Sequence, residues 1–228
     1  MGSMDTAELF PTTTRRPVES QLKRAKFAAV AGVDEVGRGC LAGPVVAAAV
    51  ILHKLDAKFV ADIDDSKKLA AKERERLDKL IRKWAVAVAV AEVPNDEIDR
   101  INILQASFKA MRIALEAMPT RCDYVLVDGH LKIPGLALPQ RPIIQGDAKC
   151  KSIGAASIVA KVFRDRLMTE WHETYPHYNF RNNKGYGTPE HWEALRKHGP
   201  CPLHRLSFQG VATADPEAFA QLELGDPA

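Results

Sequence analysis

The sequence pattern that decides the fold is FAAVAGVDEVGRGCLAGPVVAAAVIL, at residues 27–52. It contains two apolar runs, at residues 27–33 and 44–52, and each is short enough to be a buried strand. Between the runs lie two adjacent acids, Asp34 and Glu35, followed by a turn rich in glycine. We therefore predict two strands joined by a turn, with a pair of carboxylates at the end of the first strand.

The rest of the pattern predicts an α/β domain. A third apolar run occupies residues 84–93, and a fourth, at 124–127, stops at Asp128. Helices are expected at residues 67–83, between Pro94 and Pro119, at 152–175, at 189–197 and at 215–224, and an edge strand is expected at 142–144. Three successive strands followed by helix, strand and helix favour a mixed sheet. Strands 1 to 3 can pair antiparallel, and the fourth strand is parallel to a neighbour.

Both ends of the chain are expected to lie outside the folded domain. Met1-Gly2-Ser3 is expected to be a cloning scar and the rest of residues 1–20 a flexible leader. The domain is expected at residues 21–210, with a helical extension from about residue 170. Residues 211–228 are expected to be a tail, at most a short helix. No apolar run suits a signal peptide or a membrane span, so we expect a cytoplasmic protein.

Composition argues against several kinds of site. Cys40, Cys122, Cys150 and Cys201 are far apart and lack C-x-x-C spacing, so free thiols are expected and structural zinc is not. Cys150 is assigned no role. The formal net charge of +3 is weak evidence for a polyanionic partner. Residues 141–210 hold 11 Lys and Arg against 6 Asp and Glu, but charge alone favours a solvated helix face.

Four acids stand at the ends of predicted strands or helices: Asp34, Glu35, Asp128 and Asp147. Asp128 alone is a turn signal, and Asp147 alone suits a helix N-terminus. The adjacent pair Asp34-Glu35 is harder to explain, because two neighbouring carboxylates repel each other unless a cation compensates. Oxygen ligands select magnesium or manganese over zinc. Four carboxylates suit two ions about 3.5–4 Å apart, the arrangement used for in-line attack on phosphodiesters.

The glycines after the acidic pair also match a different motif. Residues 37–42, GRGCLA, fit the dinucleotide-binding pattern G-x-G-x-x-A. That pattern functions only where a helix begins, because the helix N-terminus faces the pyrophosphate. Here Gly43-Pro44 and an apolar strand follow instead, so we expect no nucleotide cofactor.

The segment DEVGRG at residues 34–39, continued by LAGPVVAAAV at 41–50, resembles the opening signature of the type 2 ribonuclease H family, bacterial ribonuclease HII. Later segments resemble the same family in the same order: DSKKL at 65–69, VDG at 127–129, GDAK at 146–149, AASIVAKVFRD at 155–165, NKGYGT at 183–188 and HRLSF at 204–208. The resemblance runs from about residue 27 to 209. Cys40 departs from it, since Pro is expected after the Gly-Arg-Gly turn.

This resemblance implies a ribonuclease H-like fold, in which helices flank a mixed five-stranded sheet and a helical extension follows. It implies an endonuclease that hydrolyses the RNA strand of RNA/DNA hybrids and cuts 5′ to ribonucleotides embedded in duplex DNA. The products carry a 3′-hydroxyl and a 5′-phosphate, and the role is ribonucleotide removal in DNA repair and replication. Two Mn²⁺ or Mg²⁺ ions are implied on Asp34, Glu35, Asp128 and Asp147. We expect a monomer.

The resemblance also implies how the substrate is recognised. The main chain of Gly37-Arg38-Gly39 is expected against the ribose 2′-hydroxyl, and Tyr186 against the deoxyribose that follows the ribonucleotide. Phosphate contacts are expected from Ser66, Lys67, Lys149, Ser152 and Lys184. Asp165, in a predicted helix, is the alternative fourth metal ligand. Asp147 is favoured, because a residue at a loop–helix junction can turn into the site.

Two other functions remain open. A junction resolvase of the same fold would use the same acids but has no need to sense a 2′-hydroxyl. A non-catalytic nucleic-acid-binding module has no need of four acids beside a polyanion. Duplex DNA with one embedded ribonucleotide distinguishes all three.

Overall fold

The computed structural model describes residues 18–53, 55, 57–64 and 66–214, and they belong to two compact units. Of the described residues, unit 1 comprises those up to Val36 and those in Val46–Ala91 and Phe108–Val162. Unit 2 comprises Gly37–Val45, Glu92–Ser107 and the described residues from Phe163 onward. The expected helical extension is therefore part of unit 2, which also includes two earlier segments of the chain.

Five strands form one sheet. They are β1 (Val30–Val36), β2 (Val45–Leu52), β3 (Ala85–Val93), β4 (Tyr124–Asp128) and β5 (Gln140–Ile143), in the order β3-β2-β1-β4-β5. β1 pairs antiparallel with β2, where Ala31 lies opposite Ile51, and parallel with β4. β5 pairs parallel with β4. The predicted mixed five-stranded sheet is confirmed.

The described helices are α1 (Val18–Arg24), α2 (Lys58–Ala61), α3 (Ala71–Trp84), α4 (Asn95–Ile101), α5 (Ile103–Glu116), α6 (Gly146–Lys149), α7 (Lys151–Thr174), α8 (Phe180–Asn183) and α9 (Pro189–His198), with a 3-10 turn at Pro176–Tyr178. α1 was not predicted, and it includes the last three residues of the expected leader. The helix predicted at 67–83 begins only at Ala71. The helix predicted at 215–224 lies outside the described residues.

The single helix predicted between Pro94 and Pro119 is instead α4 followed by α5. Asn102 separates them with a φ of +67°, a left-handed conformation that ends α4. The Asn102 carboxamide oxygen then accepts the backbone N–H groups of Leu104 and Gln105, at 3.0 and 3.1 Å. Asn102 therefore ends one helix and caps the next, which the apolar periodicity did not reveal.

β1 lies directly against the first turn of α7 at Gly32. A Cβ built on Gly32 would lie 2.2 Å from the carbonyl carbon of Ser152 and 2.3 Å from the amide nitrogen of Ile153. Gly154 makes a similar approach, since its Cβ would lie 2.7 Å from the carbonyl oxygen of Asp147. These glycines let the backbones of β1, α6 and α7 pack closely. The buried cluster beside them contains Val18, Leu22, Val30, Tyr124, Leu126, Ile143, Cys150 and Ile153.

Unit 2 has its own core. It consists of Leu41, Ala42, Met168, Tyr178, Phe180, Ala194, Leu195, Val211 and Ala214. The carboxamide of Asn95 in α4 donates to the carbonyl oxygens of Pro202 and His204, at 2.9 and 3.0 Å. The Asp99 carboxylate accepts from the backbone N–H groups of Leu206 and Ser207. These long-range bonds explain why α4 belongs to unit 2. Val211 and Ala214 also show that the expected tail begins inside this core.

All four cysteines are unpaired, which confirms the prediction of free thiols. Within residues 18–214, apart from the three positions that are not described, no helix is both long and apolar enough to cross a membrane.

Candidate active site

Three carboxylate-bearing segments lie at one edge of the sheet. β1, β4 and β5 are mutually parallel, so their C-terminal ends lie at the same edge. Asp34 and Glu35 lie near the end of β1, and Asp128 is the last residue of β4. Asp147 follows β5, in the first turn of α6. The topology therefore brings the backbones of the four predicted residues to a common edge.

Asp34 is the most buried of these acids, with 6% of its surface exposed. Its Oδ1 accepts the backbone N–H of Glu35 at 2.7 Å, which fixes the orientation of the carboxylate. Burial raises the pKa of Asp34 well above its usual range, and the nearby charges of Glu35 and Asp128 raise it further. An ionised Asp34 in this position therefore requires a compensating positive charge.

Asp128 joins the end of β4 to the start of α6. Its Oδ1 accepts the backbone N–H of Gly146 at 2.7 Å. A Cβ on Gly146 would lie 2.6 Å from Cδ1 of Ile153, so the Ile153 side chain would have to move to accommodate it. Gln145 adopts a left-handed conformation, with a φ of +56°, and turns the chain into α6. Asp147 is half-buried, and its Oδ1 accepts the N–H of Ala148 at 2.9 Å.

Among the described residues, no group of three or more His, Cys, Asp or Glu side chains is arranged so that it could hold a metal ion. The electrostatics nevertheless fit a cation. Asp34, Glu35 and Asp128 are close enough to raise the pKa of Asp34, and all of them carry the oxygen donors that hard divalent ions prefer. These three residues are the best candidate ligands. Asp147 is next to Gly146, whose backbone N–H donates to Asp128.

In unit 2, two buried arginines hold the Gly37-Arg38-Gly39 turn and the residues after it. Arg205 donates from Nη1 to the carbonyl oxygen of Arg38 at 2.9 Å and from Nε to that of Gly43 at 3.0 Å. Arg164 donates to the carbonyl oxygens of Ala42 and Pro44, at 2.9 and 3.0 Å. Both guanidinium groups are fully buried, so they act on the main chain rather than on solvent.

The two glycines of the turn differ in their surroundings. Gly37 has a φ of +92°, and a Cβ there would lie 2.3 Å from Nε of Arg164. A Cβ on Gly39 would meet nothing within 4 Å. The first glycine is therefore required by the fold of the turn, whereas the second leaves open space beside the main chain.

Tyr186 lies beside this turn within unit 2. It forms an isolated β-bridge with Cys40, and its ring centroid is 6.0 Å from the guanidinium carbon of Arg164. Tyr186 is 39% exposed, so part of the residue is available for contact. Burial of the hydroxyl and the nearby Cys40 thiol raise the pKa of Tyr186 to about 12. The phenol is therefore neutral at physiological pH.

A buried histidine pair supports the backbone of Tyr186. His191 Nδ1 lies 2.9 Å from the Tyr186 carbonyl oxygen, and His191 Nε2 lies 3.0 Å from His204 Nε2. Burial lowers the pKa of His204 to about 4 and also lowers that of His191. Both rings are therefore neutral at pH 7, and one can donate to the other.

The amino-acid sequence also matches known proteins. The family model of ribonuclease HII matches residues 31–211. The chain belongs to the ribonuclease HII family. The ribonuclease HII of Caldanaerobacter subterraneus subsp. tengcongensis is 53% identical over 179 residues, which make up 78% of this chain and 73% of that relative.

Solved structures share the ribonuclease H-like fold. Ribonuclease H2 from Pyrococcus horikoshii OT3 has a TM-score of 0.71 and 25% identity, and the match covers 84% of this chain and 99% of that one. A Bst RNase HIII structure in complex with Mn²⁺ has a TM-score of 0.68 at 19% identity, covering 83% of this chain and 70% of that one. These likenesses confirm the predicted fold class.

Two predicted phosphate contacts of this ribonuclease HII chain do not fit their surroundings. Ser152 is 1% exposed, and its hydroxyl donates to the Glu19 carboxylate at 3.1 Å. Ser66 is 4% exposed, and its hydroxyl lies 2.8 Å from that of Ser157. Neither hydroxyl is at the surface, and each forms its hydrogen bond with another residue of unit 1. The sequence pattern identified polar residues in family motifs but not the direction of their side chains.

The three predicted lysines differ in exposure and contacts. Lys67 and Lys149 are exposed, and the Lys149 ammonium donates to the carbonyl oxygen of Ile144 at 2.6 Å. The Lys184 ammonium donates to Thr169 Oγ1 at 2.6 Å and to the Asp165 carbonyl oxygen at 3.2 Å. Lys184 is thus held against α7, and a phosphate contact would require its release.

Asp165, the alternative metal ligand, belongs to unit 2, whereas the four favoured acids belong to unit 1. It is half-buried in α7, and its negative charge contributes to the raised pKa of Tyr186.

Several structurally important residues were not predicted: Glu19, Ser157, Arg164, His191, His204 and Arg205. Arg164 did leave a signal in the sequence, because it follows Ala156 and Ala160 at four-residue steps on a buried helix face. A positively charged residue on a helix face that is otherwise apolar indicates a buried polar contact.

Proposed function

We propose that this chain is an endonuclease that hydrolyses the RNA strand of RNA/DNA hybrids and cuts duplex DNA 5′ to an embedded ribonucleotide, leaving a 3′-hydroxyl and a 5′-phosphate. The observation that carries the proposal is the buried Asp34 carboxylate beside Glu35 and Asp128 at one edge of the sheet, in a chain of the ribonuclease HII family. Three acids beside a polyanionic substrate repel it unless divalent metal is bound.

The four acids Asp34, Glu35, Asp128 and Asp147 are the residues that would hold two Mg²⁺ or Mn²⁺ ions. When bound, such ions activate the attacking water and stabilise the leaving 3′ oxygen. The chain's own contribution is to orient the ligands before metal arrives. The N–H of Glu35 holds Asp34, and the N–H of Gly146 holds Asp128. Manganese in the related Bst RNase HIII structure supports an ion of this class.

Recognition of the ribose is assigned to unit 2. In the Gly37-Arg38-Gly39 turn, Arg205 fixes the carbonyl group of Arg38 and there is open space beside Gly39, so the main chain can approach a sugar closely. The 2′-hydroxyl at that sugar is what distinguishes RNA from DNA. The partly exposed, uncharged ring of Tyr186 suits apolar stacking on the deoxyribose that follows. Together these features favour cutting at an RNA–DNA junction.

The remaining expectations concern the setting of the reaction. Lys67 and Lys149 are exposed cations that suit phosphate contacts on the substrate backbone. We expect the enzyme to act in the cytoplasm as a monomer, without a nucleotide cofactor.

The experiment that tests this function compares three end-labelled duplexes of one sequence: all DNA, DNA with one ribonucleotide, and an RNA/DNA hybrid. Each is incubated with the protein in Mg²⁺, in Mn²⁺ and in EDTA. The expected result is metal-dependent cutting of the second and third duplexes. In the second, the cut lies on the 5′ side of the ribonucleotide.

Other outcomes identify the alternative functions. Equal cutting of the all-DNA duplex would overturn the proposal. A four-way DNA junction is incubated in parallel, and its cutting would favour a resolvase. Tight binding to every duplex without cutting in either metal would favour a non-catalytic binding module.

A further inference from the structure

Two fully buried histidines connect the backbone of Tyr186 to that of Cys201 within unit 2. They are His191, in α9, and His204, and we call them the histidine pair. The Cys201 N–H donates to Nδ1 of His204 at 2.9 Å. Nε2 of His204 lies 3.0 Å from Nε2 of His191. Nδ1 of His191 lies 2.9 Å from the Tyr186 carbonyl oxygen, so the hydrogen bonds are continuous from one backbone to the other.

The backbone groups at the two ends fix the direction of these hydrogen bonds. An amide N–H can only donate, so Nδ1 of His204 is an acceptor and the proton of this ring is on Nε2. A carbonyl oxygen can only accept, so the proton of His191 is on Nδ1 and its Nε2 is an acceptor. The two assignments agree, because Nε2–H of His204 then donates to Nε2 of His191.

The opposite arrangement of protons is unfavourable at both ends. It places an N–H of His204 against the N–H of Cys201, and a lone pair of His191 against the Tyr186 carbonyl oxygen. The Cys201 carbonyl oxygen, 3.2 Å from Nδ1 of His204, does not remove the first conflict, since the Cys201 N–H would still face a donor. An additional proton on either ring would also meet another N–H. Each ring therefore has one tautomer and is neutral.

The main chain at Tyr186 is held from two other directions. The N–H of Leu41, just after the Gly-Arg-Gly turn, donates to the Gly185 carbonyl oxygen at 2.8 Å. The Tyr186 carbonyl oxygen also accepts the N–H of Thr188 at 2.8 Å. His191 adds a side-chain donor to the same oxygen. The position of Tyr186 relative to the turn therefore depends on the histidine pair.

We propose that His191 is a positioning residue for Tyr186 and that His204 fixes the tautomer in which His191 donates to it, so that the histidine pair sets the preference for an RNA–DNA junction over a continuous RNA/DNA hybrid. This inference rests on the proposed function, in which Tyr186 lies against the deoxyribose after the ribonucleotide. A continuous hybrid has a ribose at that position. A displaced Tyr186 therefore affects the two substrates unequally.

The variants are made in the full chain and separate the hydrogen bond from packing. His191→Leu has no donor, whereas His191→Asn places an amide N–H near the position of Nδ1. His204→Leu removes the group that fixes the tautomer of His191. Tyr178→Phe is the matched control, because its hydroxyl is buried in the same core and donates to the Gly199 carbonyl oxygen at 2.7 Å.

Three measurements are made on each protein. The first is kcat and KM on two duplexes of one sequence, one with a single ribonucleotide and one an RNA/DNA hybrid. The second is thermal unfolding. The third is a long-range ¹⁵N–¹H correlation spectrum of protein labelled in histidine, which reports which ring nitrogen carries the proton. In the natural sequence at pH 7 we expect the proton on Nδ1 of His191 and on Nε2 of His204.

His191→Leu is expected to lower kcat/KM on the single-ribonucleotide duplex by about tenfold, the usual effect of one lost hydrogen bond to a buried group, and on the hybrid by less than about threefold. His191→Asn should restore the first value to within about threefold of the natural sequence. His204→Leu should lower it by less than His191→Leu does. Tyr178→Phe should leave the preference between the duplexes unchanged within about twofold, even if its unfolding temperature falls.

The proposal is overturned if His191→Leu lowers cutting of both duplexes by the same factor, because that result indicates loss of folded protein alone. It is also overturned if His191→Asn cuts no better than His191→Leu, or if the spectrum of the natural sequence shows the opposite tautomers. The spectrum decides the last point even where a variant fails to fold.

Tyr186→Ala separates this failure from failure of the proposed function. If the natural sequence cuts neither duplex, the proposed function and this inference fail together. If Tyr186→Ala keeps the full preference for the junction, the role assigned to Tyr186 fails, and the inference with it. If Tyr186→Ala loses the preference while His191→Leu keeps it, only the positioning role of the histidine pair fails.

Discussion

Asp34→Asn is expected to lower kcat on a ribonucleotide-containing duplex by roughly a thousandfold or more. A bound divalent ion contributes several kcal/mol of transition-state stabilisation, and about 4 kcal/mol corresponds to a factor of a thousand. The substitution removes one of the two charged oxygens available to the ion while keeping the shape of the side chain. Single-turnover cleavage in Mg²⁺ and in Mn²⁺ measures the effect.

The same variant should remain folded. Asp34 is buried beside the charges of Glu35 and Asp128, so a neutral side chain relieves repulsion in the metal-free protein. Its unfolding temperature without metal should equal or exceed that of the natural sequence. Asp96→Asn is the matched control, because Asp96 is exposed in the first turn of α4. This variant should cut the duplex at the normal rate. If Asp34→Asn retains full activity, Asp34 is not a catalytic residue.

Gly32→Ala is expected to destabilise the protein by about 3 kcal/mol or more, since a new Cβ would overlap backbone atoms. The obstacles are the carbonyl carbon of Ser152 and the amide nitrogen of Ile153, at 2.2 and 2.3 Å, and a helix backbone cannot rotate away as a side chain can. For a chain of this size the unfolding temperature should fall by roughly 6–12 °C. Thermal and urea unfolding monitored by circular dichroism measure the change.

Gly39→Ala provides the control for stability. A Cβ on Gly39 meets nothing within 4 Å, so the unfolding temperature should stay within about 2 °C of the natural sequence. Similar unfolding temperatures for Gly32→Ala and the natural sequence would show that β1 and α7 are not packed as closely as described.

The sheet was largely predictable because its strands are apolar runs bounded by turn residues. The run at 44–52 predicted β2 to within one residue, since every residue of Val45–Leu52 is buried and no polar position interrupts the pattern. The helix between Pro94 and Pro119 was predicted less well. Apolar periodicity continues through Asn102, and only the left-handed backbone there breaks the helix in two.

The placement of the acids at strand ends was predictable from the sequence, but the direction of the neutral polar side chains was not. Asp34 and Asp128 stand at strand ends, and parallel pairing brings them to one edge. A serine, in contrast, gives no sequence signal of whether it faces solvent or the interior. Ser66 and Ser152 lie in family motifs and were predicted as phosphate contacts, yet both are buried, and their partners are 91 and 133 residues away. Such long-range pairs depend on tertiary packing, which local patterns do not encode.

The acids at this edge of the sheet are proposed to bind the catalytic ions. The most direct measurement is an anomalous difference map from crystals of the protein soaked in Mn²⁺ with an uncut RNA/DNA hybrid. We expect manganese peaks whose protein ligands are Asp34, Glu35, Asp128 and Asp147. A map in which manganese binds Asp165 but not Asp34 or Asp128, or in which no peak lies at that edge, would contradict it.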